Sequence, residues 1–349
     1  MTAHSTTTVG VAVVGAGYWG PNLIRNFARC GLTDLRWVVD LDVDRARAVL
    51  GDQSQVRVTA SLDDVLGDPT VAAVAIATPP ASHLPIAMSC LAAGKHLLIE
   101  KPLATSSADG RRIVEEAERL GLVVMTDHTF CYTPVARRIR ELVHSGQLGE
   151  IHYFDSIRVN LGLVQSDVDV FWDLTPHDLS ILDFVLPADV TPVSVSAIGA
   201  DPIGAGQSCV GYLTMPLTSG GIAHVSVNWL SPSKIRQVVI AGSQQMLVWD
   251  DMKPYQRLAI VDRGVELHEP AIGAEKQQLM VDYRIGDMVI PALNETSEAL
   301  MGVVEEFASS IQGHRKPLTD GHAGLRVLHI LEAATESLGV NGALVPLEV

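Results

Sequence analysis

Basic residues are scarce in this chain: Lys and Arg total 25 against 40 Asp and Glu in 349 residues, a formal net charge of −15. A surface of that sign repels nucleic acid and anionic bilayers, so neither is expected as a partner, and a phosphorylated ligand must find a local cluster of cations. Cysteine is rarer still. Cys30, Cys90, Cys131 and Cys209 stand far apart without C-x-x-C pairing, which excludes a disulfide framework and fits a reducing, cytoplasmic setting. The 12 histidines form no H-x-x-x-H pair or His/Cys cluster, so no metal is expected. No apolar run reaches the roughly 18 residues of a membrane span. Residues 1–8 are polar and Thr-rich, lack the basic segment and apolar core of a signal peptide, and read as a flexible tail.

What the chain does have is glycine in a telling place. Gly15-Ala16-Gly17-Tyr18-Trp19-Gly20 follows the apolar run Val9 to Val14 and precedes a helical pattern from Asn22. A strand that runs through G-x-G-x-x-G into a helix is the arrangement that holds a dinucleotide pyrophosphate. The first Gly permits the turn, the second lets backbone approach phosphate, and the third lets helix and strand pack closely. The helix N-terminus adds unpaired N–H groups and the positive end of its dipole. A second apolar stretch, Leu35 to Val39, ends in Asp40, which lies 20 residues after Gly20. That is the place of the acid that bonds a ribose 2′-OH, and its charge favours NAD over NADP by repelling a 2′-phosphate. Asp42 meets the same need if the strand runs longer, and both residues also suit a plain turn.

Strand and helix patterns alternate through residues 9–128, with apolar runs ending at Val14, Val39, Ala77, Ile99 and Met125. The alternation predicts a doubly wound parallel sheet, an α/β dinucleotide-binding domain. Residues 129–349 read differently: seven short β-branched runs between Ile151 and Val261 are separated by Gly, Pro and Asp turns. They predict a large, mostly antiparallel open sheet, with Asp173 to Leu186, Ser297 to Gln312 and Gly324 to Leu338 as helices. The C-terminal helices are free to pack back on the first domain.

Two groups of residues carry candidate chemistry. Glu100-Lys101-Pro102 closes the fourth main strand, and ligands of open α/β sheets bind beyond such carboxyl ends. Lys101 there can stabilise a developing alkoxide or take its proton, although a lysine capping a strand end on the surface fits the same residues. Asp173 and His177 lie four apart in Trp172-Asp173-Leu174-Thr175-Pro176-His177, so a helix stacks them on one face as a carboxylate-oriented imidazole. The plainer alternative makes Asp173 a helix cap and His177 a satisfied helix residue.

Taken together, these motifs resemble the glucose–fructose oxidoreductase, inositol dehydrogenase and rhizopine-catabolism family (Gfo/Idh/MocA) over nearly the whole chain. The residues that carry the resemblance are the glycine motif, Thr78-Pro79-Pro80 with His83, Glu100-Lys101-Pro102, and the D-x-x-x-H of Asp173 and His177. The resemblance implies an NAD-dependent oxidoreductase acting between a secondary hydroxyl and a ketone. Lys101 and His177 would share the acid/base work, with Asp173 supporting His177. Gly15, Gly17, Tyr18, Trp19, Gly20, Asp40, Thr78, Pro79, His83, Glu100 and Lys101 would line the cofactor. It also implies a Rossmann domain joined to an open-faced sheet that mediates homodimers or homotetramers. Tyr18-Trp19-Gly20-Pro21-Asn22-Leu23, Asn160-Leu161-Gly162 and Trp172-Asp173 resemble the branch that works on nucleotide-linked sugars, commonly at C3 of a hexose.

The residues themselves say less about substrate. Arg158 and Asn160 share a face by strand alternation, as do Lys234 and Arg236, while Trp172 and Tyr283 offer rings. Cations beside aromatic platforms suit a sugar carrying a pyrophosphate. A solvated strand face explains Lys234 and Arg236 equally well. A free or phosphorylated sugar or an inositol remains the alternative substrate, and a dinucleotide- or sugar-sensing regulator the alternative of another class.

Overall fold

The computed structural model describes residues 8–51, 55–166, 168–268, 280–293 and 298–347, so the expected tail lies almost wholly outside the described residues. The chain divides into two units, Met1–Thr133 with Glu295–Glu332, and Pro134–Asn294 with Ala333–Val349.

The first unit alternates strand and helix. Its strands are β1 (Val9–Val14), β2 (Thr33–Val39), β3 (Arg57–Thr59), β4 (Ala73–Ile76), β5 (His96–Glu100) and β6 (Val124–Asp127). Between them run α1 (Gly20–Arg29), α2 (Val43–Leu50), α3 (Leu62–Leu66), α4 (His83–Ala92) and α5 (Ser107–Leu120). All six strands are parallel, in the order β3-β2-β1-β4-β5-β6. Every residue of β1 is buried, as a central strand covered on both faces requires. α5 shows how sequence sets a helix here. Ser106 caps it by accepting from Asp109 N, Gly121 ends it at φ 67°, and Gly110, Ile113, Val114 and Ala117 form the buried stripe between. Chain from beyond residue 298 completes this unit. Thr126 N donates to Thr319 O at 2.9 Å, and Met125 bridges Asp320, so the outer edge of β6 is closed by a segment nearly 200 residues later.

The second unit holds α6 (Pro134–His144), β7 (Ile151–Leu161), α7 (Val170–Val185), β8 (Ser194–Ala200), β9 (Val210–Pro216) and β10 (Ile222–Asn228). β11 (Leu230–Gly242), β12 (Met246–Asp250), β13 (Leu258–His268) and β14 (Met280–Val289) follow. After α8 (Ala299–Gln312), which belongs to the first unit, α9 (Gly321–Gly339) crosses the division and β15 (Val345–Pro346) ends the unit. The strands form one sheet in the order β14-β13-β12-β11-β7-β10-β9-β8-β15, antiparallel except for the β7–β10 pair. The expected α/β class, with one parallel and one mostly antiparallel sheet, is what the fold shows.

One face of the second sheet is buried by α7. The helix approaches closely because the strands beneath Phe171 carry no side chain there: a Cβ built on Gly211 would lie 2.1 Å from the Phe171 ring. The other face leaves Ile157, Tyr212, Ile222 and Ile235 partly exposed.

Three local expectations change. α7 begins at Val170, not Asp173, because Asp169 accepts from the backbone N–H groups of Phe171 and Trp172 and so caps the helix first. β14 and the amphipathic α6 occupy stretches to which the sequence patterns assigned no element, α6 lying at the start of the second domain before its first expected strand. β11 starts at Leu230, with its ladder to β7 broken between Leu230 and Ile235, so Lys234 sits in an irregular stretch rather than in regular alternation with Arg236.

Candidate active site

The glycine turn has the strain and the space that its motif requires. Gly15 adopts φ 100°, and a Cβ there would lie 2.7 Å from Ala77 O. A Cβ on Gly20 would lie 2.0 Å from Gly15 O, whereas one on Gly17 would meet no atom within 4 Å among the described residues beyond its chain neighbours. The cradle is therefore tight where strand meets helix and open where a phosphate would approach. No side chain caps the N-terminus of α1, which leaves that end to an anion. Tyr18, beside it, is 98% exposed.

Asp40 is buried at the end of β2 and tied to the turn. Its carboxylate accepts from Ala16 N at 2.6 Å, from Asp42 N at 2.8 Å and from the Arg45 guanidinium at 2.6 Å. Burial alone would raise its pKa, but the Arg45 hydrogen bond and the two backbone donors outweigh burial and hold it below the usual value. It stays ionised. Asp42 serves another purpose, capping α2 by accepting from Arg45 N at 3.0 Å.

Thr78 and Pro79 lie just beyond β4, with Ser82 Oγ donating to Thr78 Oγ1 at 2.7 Å. His83 is fully buried, its ring nitrogens 2.9 Å from Thr78 O and 3.0 Å from Pro102 O. Burial pushes its pKa down although those carbonyls favour the charged ring; the ring lies between the loop after β4 and the loop after β5, and in its neutral form it donates to one of the two carbonyls. The Lys101–Pro102 peptide in that second loop is cis.

Around Lys101 the carboxyl ends of β5 and β6 gather ionisable side chains. Glu100 and Asp127 are register partners across the two strands. Asp127 is 1% exposed and accepts from Trp19 Nε1 at 3.1 Å and from Thr129 Oγ1 at 2.7 Å. His128, equally buried, has no partner for either ring nitrogen among the described residues, and neither has Glu100 Oε2. Sequence reasoning passed over Asp127 and His128. The signal was their place directly after the last strand of a parallel sheet.

In the second unit, Asp173 and His177 stand one turn apart on α7, half-buried beside the buried stripe of Phe171, Thr175, Asp178 and Leu182. Side chains fasten the helix at several points. Trp229, itself buried, donates its indole N–H to Asp173 Oδ2 at 3.0 Å, and Trp172 Nε1 donates to Thr335 Oγ1 at 3.0 Å. Asp178 accepts from Ser156 Oγ at 2.7 Å and from Arg158 at 2.8 and 3.0 Å. Asp173 is therefore no helix cap. Trp229 and Asp178 were not anticipated; the first read as an apolar strand residue, and the second stood beside the more conspicuous His177.

The residues expected at the substrate scatter. Arg158 is 5% exposed and closed on Asp178. Arg236 lies opposite it in the β7–β11 ladder, half-exposed and 3.7 Å from Asp251, its pKa lowered by burial and by the charge of Arg158. Asn160 follows on β7, part-exposed, and Lys234 is exposed. Tyr283, 74% exposed, lies on the edge strand β14. That is four strands from β7, about 19 Å at ordinary strand spacing, so the fold does not bring it together with the others.

Comparison with known proteins agrees with this geometry. Residues 9–128 match the model of the oxidoreductase family with an NAD-binding Rossmann fold, and residues 136–248 match the GFO/IDH/MocA C-terminal domain. The chain belongs to the Gfo/Idh/MocA family of oxidoreductases. It is 26% identical over 317 residues to UDP-N-acetylglucosamine 3-dehydrogenase of Acidithiobacillus ferrooxidans, covering 90% of this chain and 93% of that protein. It is also 31% identical over 202 residues to inositol 2-dehydrogenase of Leifsonia xyli, covering 55% and 57%. Among solved structures, GenD2 from gentamicin A biosynthesis in complex with NAD is similar at a TM-score of 0.79 and 25% identity, covering 100% and 99%. Among the described residues, no helix is long and apolar enough to cross a membrane.

Proposed function

We propose that this protein oxidises or reduces C3 of a nucleotide-linked hexose with NAD, using Lys101 and His177 as its proton-handling pair. The observation that carries the reading is Asp173, held by the Trp229 indole one helical turn before His177. A carboxylate fixed in that way orients and charges an imidazole, as a general base near neutral pH requires. NAD, when bound, accepts or returns the hydride. His177 takes the proton of the reacting hydroxyl during oxidation and returns it during reduction. The Lys101 ammonium steadies the oxygen as its negative charge develops. Gly15, Gly17, Trp19 and Gly20 hold the pyrophosphate, and ionised Asp40 takes the adenosine ribose and disfavours a 2′-phosphate.

Similarity along almost the whole length of a UDP-N-acetylglucosamine 3-dehydrogenase supports the nucleotide-sugar substrate. Lys234 and Arg236 are assigned to its pyrophosphate; Arg158, closed on Asp178, shapes the helix floor instead. An inositol or free sugar is the second reading, supported by the match to an inositol 2-dehydrogenase. The partly exposed apolar side chains on the open sheet face support pairing with a second copy, and four buried free cysteines suit the cytoplasm. Absorbance at 340 nm decides the reaction, with NAD and NADP each offered against nucleotide-linked hexoses, free and phosphorylated sugars, and inositols. Signal growth with nucleotide-linked hexoses and NAD is expected. Signal with inositols alone selects the second reading. Silence throughout, with NAD still binding, points to a keto-sugar reductase awaiting its ketone or to a sensor, and NADH consumption with keto-sugars separates the two.

A further inference from the structure

Side chains of register partners in adjacent parallel strands point to the same side of the sheet, with backbones about 4.8 Å apart. Glu100 and Asp127 are such partners at the last positions of β5 and β6. Two carboxylates carried on such neighbouring backbones, with Asp127 and Glu100 Oε2 closed to solvent, repel too strongly for both to be ionised. The surroundings decide which one keeps the charge. Asp127 receives two side-chain donors, the Trp19 indole and the Thr129 hydroxyl, whereas the Glu100 carboxyl receives the Lys101 backbone N–H and its Oε2, sealed from solvent, receives no donor among the described residues. Donors stabilise an anion; a sealed oxygen without one favours the acid.

We propose that Glu100 and Asp127 share a single proton, Glu100 carrying it as a neutral acid and Asp127 standing beside it as the carboxylate. The pair then presents one negative charge to the one positive charge of Lys101, together with an O–H donor at the carboxyl end of β5. Asp127 is a positioning residue: it keeps Glu100 protonated and holds the balance of charge at Lys101. Burial first and the charge of Asp127 second push the Glu100 carboxyl well above the usual range, against the pull of Lys101. Burial raises Asp127 as well, while Thr129, Trp19 and Lys101 draw it back. His128, next in the chain to Asp127, is held neutral by burial first and by the charges of Lys101 and of Arg326 on α9 second. The significance for Lys101 rests on its proposed catalytic role; the shared proton does not.

Infrared difference titration of the ligand-free, full-length protein tests the pair. The expected result is a protonated-carboxyl band at pH 7 that bleaches at alkaline pH and is missing from Glu100→Gln. In Asp127→Asn the bleaching point should fall by about two pH units, the order of effect expected on removing a unit charge from the neighbouring strand. Absence of the band in wild type at pH 7, its survival in Glu100→Gln, or an unmoved midpoint in Asp127→Asn would each overturn the proposal. If a variant does not fold, carboxyl-13C NMR of wild type labelled at glutamate decides alone. One glutamate protonated at pH 7 supports the pair and none refutes it. The band without sugar turnover in either direction would leave the pair standing and remove the catalytic reading; turnover without the band would do the reverse.

Discussion

The surroundings of Lys101 and of His177 are built on opposite principles. Lys101 stands among buried ionisable groups whose polar atoms are only partly satisfied: Glu100 Oε2 and both nitrogens of His128 lack partners among the described residues. The α7 segment carrying His177 is held by completed contacts, with Trp229 on Asp173 and with Ser156 and Arg158 on Asp178. Unsatisfied buried groups are costly, and they persist where a ligand or a titration makes use of them. Completed networks fix geometry instead. The difference separates an edge that adapts its charge from a scaffold that aims one side chain.

Five single substitutions set the two regions against each other. The largest effect should come from Lys101→Ala and His177→Ala, each lowering kcat by about 10² to 10⁴-fold with NAD affinity retained by calorimetry. Unchanged turnover in both would abolish the proposed division of roles. Arg158→Met leaves Asp178 buried without its cation, at a cost of about 3–5 kcal/mol, seen as a lower thermal midpoint. Restoration by a second change, Asp178→Leu, would identify the stranded charge as the cause; a midpoint equal to wild type in the single variant would show that the clamp is idle.

His128 probes the adaptable edge. Burial, aided by the Lys101 and Arg326 charges, pushes its pKa from 6.5 down to about 3. The unfolded chain therefore binds the proton that the folded one refuses, and stability falls as pH drops from 6.5 towards 3, by up to about 1.4 kcal/mol per unit. His128→Gln should flatten that limb of the midpoint-against-pH curve, and parallel curves would refute the assignment. The smallest effect is expected from Trp229→Phe, which removes only the indole N–H. About a tenfold loss in kcat with an unchanged KM for NAD would mark positioning of Asp173; equal losses in both would point to a general loosening.

How much of this was legible in the sequence follows from where each signal lies. The glycine turn, Asp40 and Lys101 were readable because parallel sheets place ligands at strand ends that apolar runs mark out. His177 was readable because helical spacing links it to Asp173. Trp229 was not, since its hydrogen bond joins residues 56 apart and its own neighbourhood only says strand. The pairing of Glu100 with Asp127 required the register of two strands separated by α5, which no local pattern contains. Arg158 shows the converse: alternation placed it on a face, but only the packing of α7 revealed that the face was closed.

The late closure of β6 by Thr319 and Asp320 has a consequence for the order in which the protein can be made. Each unit takes its last pieces from the C-terminal third: residues 298–332 for the first, 333–347 for the second. A ribosome that has delivered the whole glycine motif and all six parallel strands still has not delivered the segment that covers the outer strand. Until it does, the nascent chain carries a sheet edge ready to pair with another chain. Neither unit is complete until residues 298–347 have been made, so fragments ending near residue 300 should be prone to aggregate.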